Sequence, residues 1–356
     1  MSPVGPAPAT TTGNVFVVTP HSNIREMRIC VFGAGAVGGH IAAKLAARGH
    51  DVSVVARGAH LDAMRDKGLT LVHGQDTIRG RVRAADRAAA LGPQDFVFVT
   101  LKANLLGTFA EQAAALLRDD TGVVFAQNGI PWWYAIGLSS SRPRPPALPK
   151  LDPGGKLHRV LDENQVIGAV VYSANEVREP GVIVNNVPGN NMLVIGYADD
   201  RHDDKMAALR TALTQADLYS PPTQDIRQSV WGKLVQNLST AALCTLAGAT
   251  VKEVREDPGL AGIAKNLASE ARAIARAHGV DPDGAPQRRG GGQSAGAISH
   301  KPSLLQDYER GRPMEIDALL VAALEFARAA SVPAPALETI VALVAHKAAA
   351  KGLYGD

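Results

Sequence analysis

Three glycines set between a strand pattern and a helix pattern constrain this chain more than any other feature. Residues 27–32 (MRICVF) are a short apolar strand candidate, and Gly33-Ala-Gly35-Ala-Val-Gly38 follows directly. Residues 36–48 then place Ile41, Ala42, Leu45 and Ala46 at helical spacing. After Gly49, residues 51–56 (DVSVVA) read as a second strand. Strand, glycine turn, helix and strand make a βαβ unit, and such units build parallel sheets. In that setting each glycine has its own task. Gly33 permits a tight turn, Gly35 lets the backbone approach a pyrophosphate, and Gly38 allows the helix to pack closely on the strand. The helix N-terminus faces the phosphate charge. Gly33, Ala34, Gly35, Ala36, Val37 and Gly38 are therefore the candidate dinucleotide site. The competing reading is an ordinary glycine-rich turn.

The end of the second strand selects the dinucleotide. A chain that binds NAD usually carries Asp or Glu about 20 residues onward, bonded to the ribose 2′-hydroxyl. Here the residue 19 positions past Gly38 is Arg57. An acid would repel a 2′-phosphate, whereas a guanidinium bonds it bidentately. The expected cofactor is NADP, as NADPH. Lys102, at the end of the strand pattern 96–101, is expected to help neutralise it. A solvated surface arginine and a plain surface lysine are the alternatives for these two positions.

The αβ rhythm continues with a helix expected over 106–117 and a strand over 122–126. Residues 139–155 are crowded with Pro, Ser and Gly, which reads as an inserted loop spanning about 132–160. Strand-like segments return at 166–172, 181–184 and 192–195, with Pro180-Gly181 marking a hairpin. From about 225 the chain turns to alanine-rich helical patterns at 229–246, 262–278, 313–330 and 336–350, with a Gly-rich loop at 289–296. The fold class is α/β. A Rossmann-type dinucleotide-binding domain is expected over 27–222, followed by an all-helical domain over 223–356 and a cleft between them. Residues 1–26, rich in Pro and Thr, are expected to be a disordered tail with no secretory signal. Met27, immediately before the first strand, would serve equally well as a translation start.

Composition narrows the function classes. Hydrophobic residues at 46% and charged residues at 20% suit a soluble globular chain with a core. Aromatics at 4% offer no stacking platform for single-stranded nucleic acid, and a net charge of +3 without a basic run leaves no electrostatic footprint for it. Cys30 and Cys244 are too few and too far apart for a metal set or a disulfide framework. Two buried thiols in a reducing compartment are expected, hence a cytoplasmic protein. No apolar run reaches the roughly 18 residues of a membrane span. No HExxH motif, no clustered His/Cys pattern and no GxSxG elbow occurs, so neither metal nor serine-nucleophile chemistry is expected.

Trp231-Gly-Lys233-Leu-Val-Gln-Asn237 sets Lys233 and Asn237 on one helix face. Alone, such a pair is more often a solvated surface. Together with four other segments it resembles the ketopantoate reductase family. Those segments are Gly33-Ala-Gly-Ala-Val-Gly-Gly39, Val55-Ala-Arg-Gly58, Gln127-Asn-Gly129, and the run His300-Lys-Pro-Ser303 through Gln306-Asp to Gly311-Arg-Pro-Met-Glu315-Ile-Asp317. The resemblance runs in order from Met27 to the C-terminus. It implies NADPH-dependent reduction of a 2-oxo acid to a 2-hydroxy acid, with 2-dehydropantoate (ketopantoate) to pantoate, in pantothenate biosynthesis, the leading case.

On the matched positions, the resemblance implies that Lys233 is the general acid for the alkoxide left by hydride transfer. Glu315 would lie near the reacting hydroxyl and keep Lys233 charged. Asn237 and Ser303 would hold the substrate, Asn128 would border both substrate and nicotinamide, and Ala174 would touch the cofactor through its backbone. Each has a plainer alternative: Asn128 as a turn residue, Glu315 as an acid opening a helix, Ser303 as an N-cap. One departure concerns the substrate. The family commonly has a second asparagine two turns after the lysine, where this chain has Ala241. With the Trp132-Trp133 insertion, this motivates an alternative 2-oxo acid as substrate. A non-catalytic NADP-sensing protein is the third reading, and Lys233 with Glu315 argues against it. The expected partners are a small-molecule 2-oxo acid and a second copy of the chain in a homodimer, with no nucleic acid and no membrane.

Overall fold

The computed structural model describes residues 26–189, 191–287 and 301–355, together with the two-residue strand Val15–Phe16. That strand lies parallel to residues 77–78. The remainder of the expected tail, the Gly-rich loop at 289–296 and His300 lie outside the described residues.

A seven-stranded sheet forms the frame. Its order is Met192–Tyr197, Val166–Tyr172, Gly122–Phe125, Phe96–Val99, Arg28–Phe32, Asp51–Val55 and Arg83–Ala85. All neighbours are parallel except Met192–Tyr197, which runs antiparallel to Val166–Tyr172. Phe96–Val99 and Gly122–Phe125 are buried at every position because elements cover both faces. Chain order reverses between Arg28–Phe32 and Phe96–Val99. The crevice beyond the carboxyl ends of such a pair is where open α/β sheets bind ligands, and Gly33 and Thr100 stand at its mouth.

The helix Ala36–Ala46 is buried on nearly all sides. One face packs on the main sheet. The other is covered by a second sheet that includes Leu69–His73, Asp76–Gly80, Val182–Asn185 and Asn175–Glu179. The sandwich explains the small residues of this helix: a Cβ on Gly39 would come within 2.7 Å of the Ile183 side chain. The hairpin at Pro180-Gly181 is present, with Gly181 at φ +77°.

The 106–117 expectation is corrected to a short helix, Leu106–Ala110, and a separate 3-10 turn, Ala113–Ala115. Between them Gln112 turns its side chain to accept from the Ala88 amide at 2.9 Å. The helix expected from 313 starts after Glu315, because the Met314 amide donates to the Leu353 carbonyl instead. Its opening is a π turn, Asp317–Val321, followed by Ala322–Ala329.

The long helix Ile226–Ala247 is the axis of the C-terminal half. The Asp225 side chain caps it and Gly248, at φ +67°, ends it. Pro258–Ala277, Ser303–Glu309 and Pro335–Ala349 pack around it. No helix among the described residues is long and apolar enough to cross a membrane.

The inserted loop is irregular as expected over 131–148, but it is anchored in the core at its start. Its first residues are core: Trp132, Trp133, Tyr134 and Ile136 are all buried. Trp133 lies so close on the sheet that a Cβ on Gly168 would stand 2.2 Å from its ring. The fully buried Arg227 guanidinium donates to the carbonyls of Tyr134 (3.0 Å) and Ile136 (2.6 Å), and Trp231 Nε1 donates to Tyr134 Oη at 2.7 Å. The insertion therefore supports the start of the helix that carries Lys233. Trp133→Ala is expected to cost about 3–5 kcal/mol of unfolding free energy. Urea denaturation checks this, and a loss below about 1 kcal/mol would contradict the packing role.

Candidate functional site

The glycine turn separates its three tasks in space. Gly33 has φ +102°, and a Cβ there would stand 2.8 Å from Leu101. Gly38 is wedged against Gly33 O (2.3 Å from a Cβ), Thr100 Oγ1 and Val31. Gly35 meets nothing within 4 Å, so its backbone is open to the space in front of the turn. That space is a cleft of about 290 Å³ lined by Gly33, Ala34, Gly35, Arg57, His60 and Lys102, among others. Gly35 is the N-cap of Ala36–Ala46. The first-turn amides of that helix, including those of Ala36 and Val37, lack intrahelical acceptors and carry the positive end of the dipole. A glycine that leaves room, amides without helical acceptors and a cationic rim fit a dinucleotide pyrophosphate.

Arg57 is exposed at the rim and is the N-cap residue of the helix Gly58–Lys67. Among the described residues, Asp86 is the one acid lining the cleft. Its carboxylate faces Arg65 at 3.8 Å and Arg87 at 3.7 Å. Lys102 also lines the cleft, but its ammonium donates to Asp307 Oδ2 at 2.7 Å and to the Pro313 carbonyl at 2.9 Å. It ties the sheet to the helical half.

The strand ends bring the other candidates together. Gln127 Nε2 donates to the carbonyls of Val99 (2.8 Å) and Leu101 (3.0 Å), fixing the segment that leads to Asn128. Gly129 follows at φ +85°, where a Cβ would strike the Ala318 carbonyl oxygen at 2.2 Å. The same carbonyl accepts from the Ile130 amide at 2.8 Å, so the Asn128 turn docks on the π turn just after Glu315. Lys233 Nζ donates to Asn128 Oδ1 and to the Val171 carbonyl, both at 2.5 Å. Asn237 lies one turn further along, half-buried, and Ala241 is buried beyond it. Ala174 follows Val171 by three residues, and its carbonyl accepts from the Asn186 amide at 2.8 Å.

Glu315 is half-buried and accepts from the Ala103 amide at 2.8 Å. Burial pushes its carboxyl above the ordinary carboxylate range, while the Ala103 amide and the ammonium groups of Lys102 and Lys233 pull it partly back. The folded protein therefore holds this proton after the unfolded chain has released it. Ionised Glu315 costs stability, and the cost grows as pH rises from the ordinary glutamate range through the raised one. The melting temperature of Glu315→Gln relative to wild type is accordingly expected to be more favourable at pH 8 than at pH 4. An equal or reversed difference would contradict the burial argument.

Ser303 is exposed at the first position of Ser303–Glu309, and Pro302 is the cap residue, so the N-cap alternative does not hold. Its helix reaches the site through Asp307. Sequence reasoning missed Asp307, although it stands in the quoted Gln306-Asp pair. It also missed Thr100, whose Oγ1 donates to Gly33 O at 2.5 Å. It missed His60, three residues after Arg57, whose Nε2 lies 2.7 Å from the Ala34 carbonyl.

The sequence pattern of the family described as Ketopantoate reductase PanE/ApbA matches residues 29–200, and that of its C-terminal region matches 225–348. A 2-dehydropantoate 2-reductase from Mesorhizobium japonicum is 41% identical over 330 residues, covering 92% of this chain and all of that protein. Among solved structures, a candidate ketopantoate reductase from Ralstonia solanacearum MolK2 superposes with a TM-score of 0.81 at 32% identity, over 93% of this chain and 100% of that one. D-mandelate dehydrogenase, solved with NADH and anilino(oxo)acetate, shares the fold with a TM-score of 0.74 at 17% identity, over 92% of this chain and 100% of its own.

Proposed function

The chain belongs to the ketopantoate reductase family of dinucleotide-dependent oxidoreductases acting on CH-OH groups, and from that premise we propose that it reduces 2-dehydropantoate to pantoate with NADPH. What carries the reading is the ammonium of Lys233, held by Asn128 Oδ1 and the Val171 carbonyl at the carboxyl ends of the sheet strands. These two acceptors are neutral groups that fix where the ammonium points. The cation then serves an anionic substrate and a developing alkoxide alike.

In this reading Gly33, Ala34, Gly35, Ala36, Val37 and Gly38 hold the pyrophosphate, and Arg57 holds the ribose 2′-phosphate. Ala174 and Asn128 border the nicotinamide. Bound NADPH supplies a hydride. Lys233 Nζ gives its proton to the substrate oxygen that becomes the hydroxyl. Glu315 keeps that ammonium charged, and Asn237 and Ser303 orient the acid. Lys102, which lines the cleft, helps neutralise the cofactor, and its bond to Asp307 holds the helical half against the cleft. NADP is favoured over NAD by the exposed guanidinium of Arg57 at the end of Asp51–Val55, while Asp86, the acid lining the cleft, faces Arg65 and Arg87. Residues 27–222 form the dinucleotide part and 223–356 the substrate part. Cys30 and Cys244 are both free and buried, in keeping with a reducing cytoplasm.

A second reading keeps the chemistry and changes the acid. Its support is Ala241, buried on the Lys233 helix two turns past the lysine. The insertion no longer supports it, since Trp132 and Trp133 fill the core. Comparing kcat/KM across a panel of 2-oxo acids separates the two. A clear preference for 2-dehydropantoate favours the first reading, and a preference for another acid the second.

A further inference from the structure

We infer that His60 is a positioning residue for the cofactor's pyrophosphate, acting by locking the orientation of the Ala34–Gly35 peptide. The inference rests on the dinucleotide reading of the cleft above. His60 lies in the first turn of Gly58–Lys67 and lines the cleft. Its two ring nitrogens have different partners. The Gly181 amide donates to Nδ1 at 2.9 Å, and Nε2 lies 2.7 Å from the Ala34 carbonyl oxygen. A nitrogen that accepts from an amide carries no proton, so the ring is the neutral tautomer with its hydrogen on Nε2, donated to Ala34 O.

That carbonyl belongs to the turn that faces the phosphates. A carbonyl oxygen directed into the cleft would repel a phosphate oxygen and turn the following amide away. Ala34 is followed by Gly35, which has no Cβ to resist rotation of the shared peptide and no atom within 4 Å of where one would stand. The bond from Gly35 N to Gly33 O, at 2.8 Å, holds one side of this peptide. The imidazole holds the other and keeps the oxygen out of the cleft. Its second bond runs to the hairpin of the second sheet, where Gly181 turns at φ +77°. One ring thus anchors the phosphate turn to the sheet that covers the phosphate-binding helix.

The two bonds can be separated by substitution. Glutamine places an amide donor near Nε2, and asparagine an acceptor near Nδ1. His60→Ala is expected to weaken NADPH and ADP-ribose binding about tenfold, measured by fluorescence titration. Adenosine 2′-monophosphate, which lacks the pyrophosphate, is expected to bind within about twofold of wild type. His60→Gln should restore most of the NADPH affinity and His60→Asn should not. Thermal melts of all three variants establish that they are folded. Rescue by Asn rather than Gln would assign His60 to hairpin anchoring, and equal weakening of adenosine 2′-monophosphate would assign it to holding the Arg57 turn. Either result, or unchanged NADPH affinity in His60→Ala, overturns the inference. Failure of the wild type itself to bind NADPH would instead overturn the cofactor reading.

Discussion

Lys233→Ala is expected to lower kcat for 2-oxo acid reduction about 10²- to 10⁴-fold, the range a positioned general acid supplies. Hydride addition to a ketone leaves an alkoxide, a far stronger base than an amine. Without a donor in place, that charge must be met by water, which is not positioned for the task. The expected signature is selective. Lys233 stands apart from Gly33, Arg57 and their neighbours, which line the cleft assigned to the pyrophosphate and ribose phosphate. NADPH affinity should therefore stay within about threefold of wild type, because no bond to the cofactor is removed. Steady-state kinetics beside a fluorescence titration separates the two quantities. A variant that loses cofactor binding and turnover together would point to a structural lysine, and one that keeps full turnover would place the proton donor elsewhere.

The second large effect concerns cofactor choice. Arg57→Ala is expected to weaken NADPH binding about 10- to 100-fold, the equivalent of a charge-assisted hydrogen bond or a bidentate pair of them. NADH, which has no 2′-phosphate, should bind the variant about as it binds wild type. Because Arg57 is exposed, its contribution is screened by salt, and the NADPH penalty should shrink as ionic strength rises. Titration of both dinucleotides at low and high salt checks each part. An equal loss for NADPH and NADH would mean that Arg57 does not read the phosphate.

The parts of this molecule that were legible in the sequence are those whose requirements are local. Gly33, Gly35 and Gly38 answer to a turn, an open face and a helix contact within one βαβ unit, and spacing alone reports them. The strands Phe96–Val99 and Gly122–Phe125 are apolar throughout because both faces are covered. What stayed hidden depends on distant partners. Of the second sheet, Val182–Asn185 and its hairpin were legible, but Leu69–His73 and Asp76–Gly80 were missed because they are short and partly exposed. Asp76–Gly80 has one buried residue in five, so no alternation marks it. Trp132 and Trp133 sit before a Pro- and Ser-rich stretch and read as loop, yet Trp132 packs on Phe125 and Trp133 on Gly168 and Arg227 in the core. Lys102 lines the cleft, as expected of a cofactor cation, but its second partner, Asp307, lies 205 residues away and left no local sign. Glu315 was marked through the family resemblance as a site residue near Lys233, but its bond to the Ala103 amide follows from the docking of two halves of the chain. The helix Asp204–Gln215 was missed although its buried residues Met206, Leu209, Ala212 and Leu213 stand at helical spacing.

The most direct test of the whole account is the loss of NADPH absorbance when the wild-type protein meets 2-dehydropantoate, with the product identified. The account predicts rapid oxidation, one pantoate formed per NADPH consumed, and a much slower reaction with NADH. Tight NADPH binding with no oxidation by 2-dehydropantoate or any other 2-oxo acid would contradict it, leaving a chain with the family's fold and cofactor site but not its reaction.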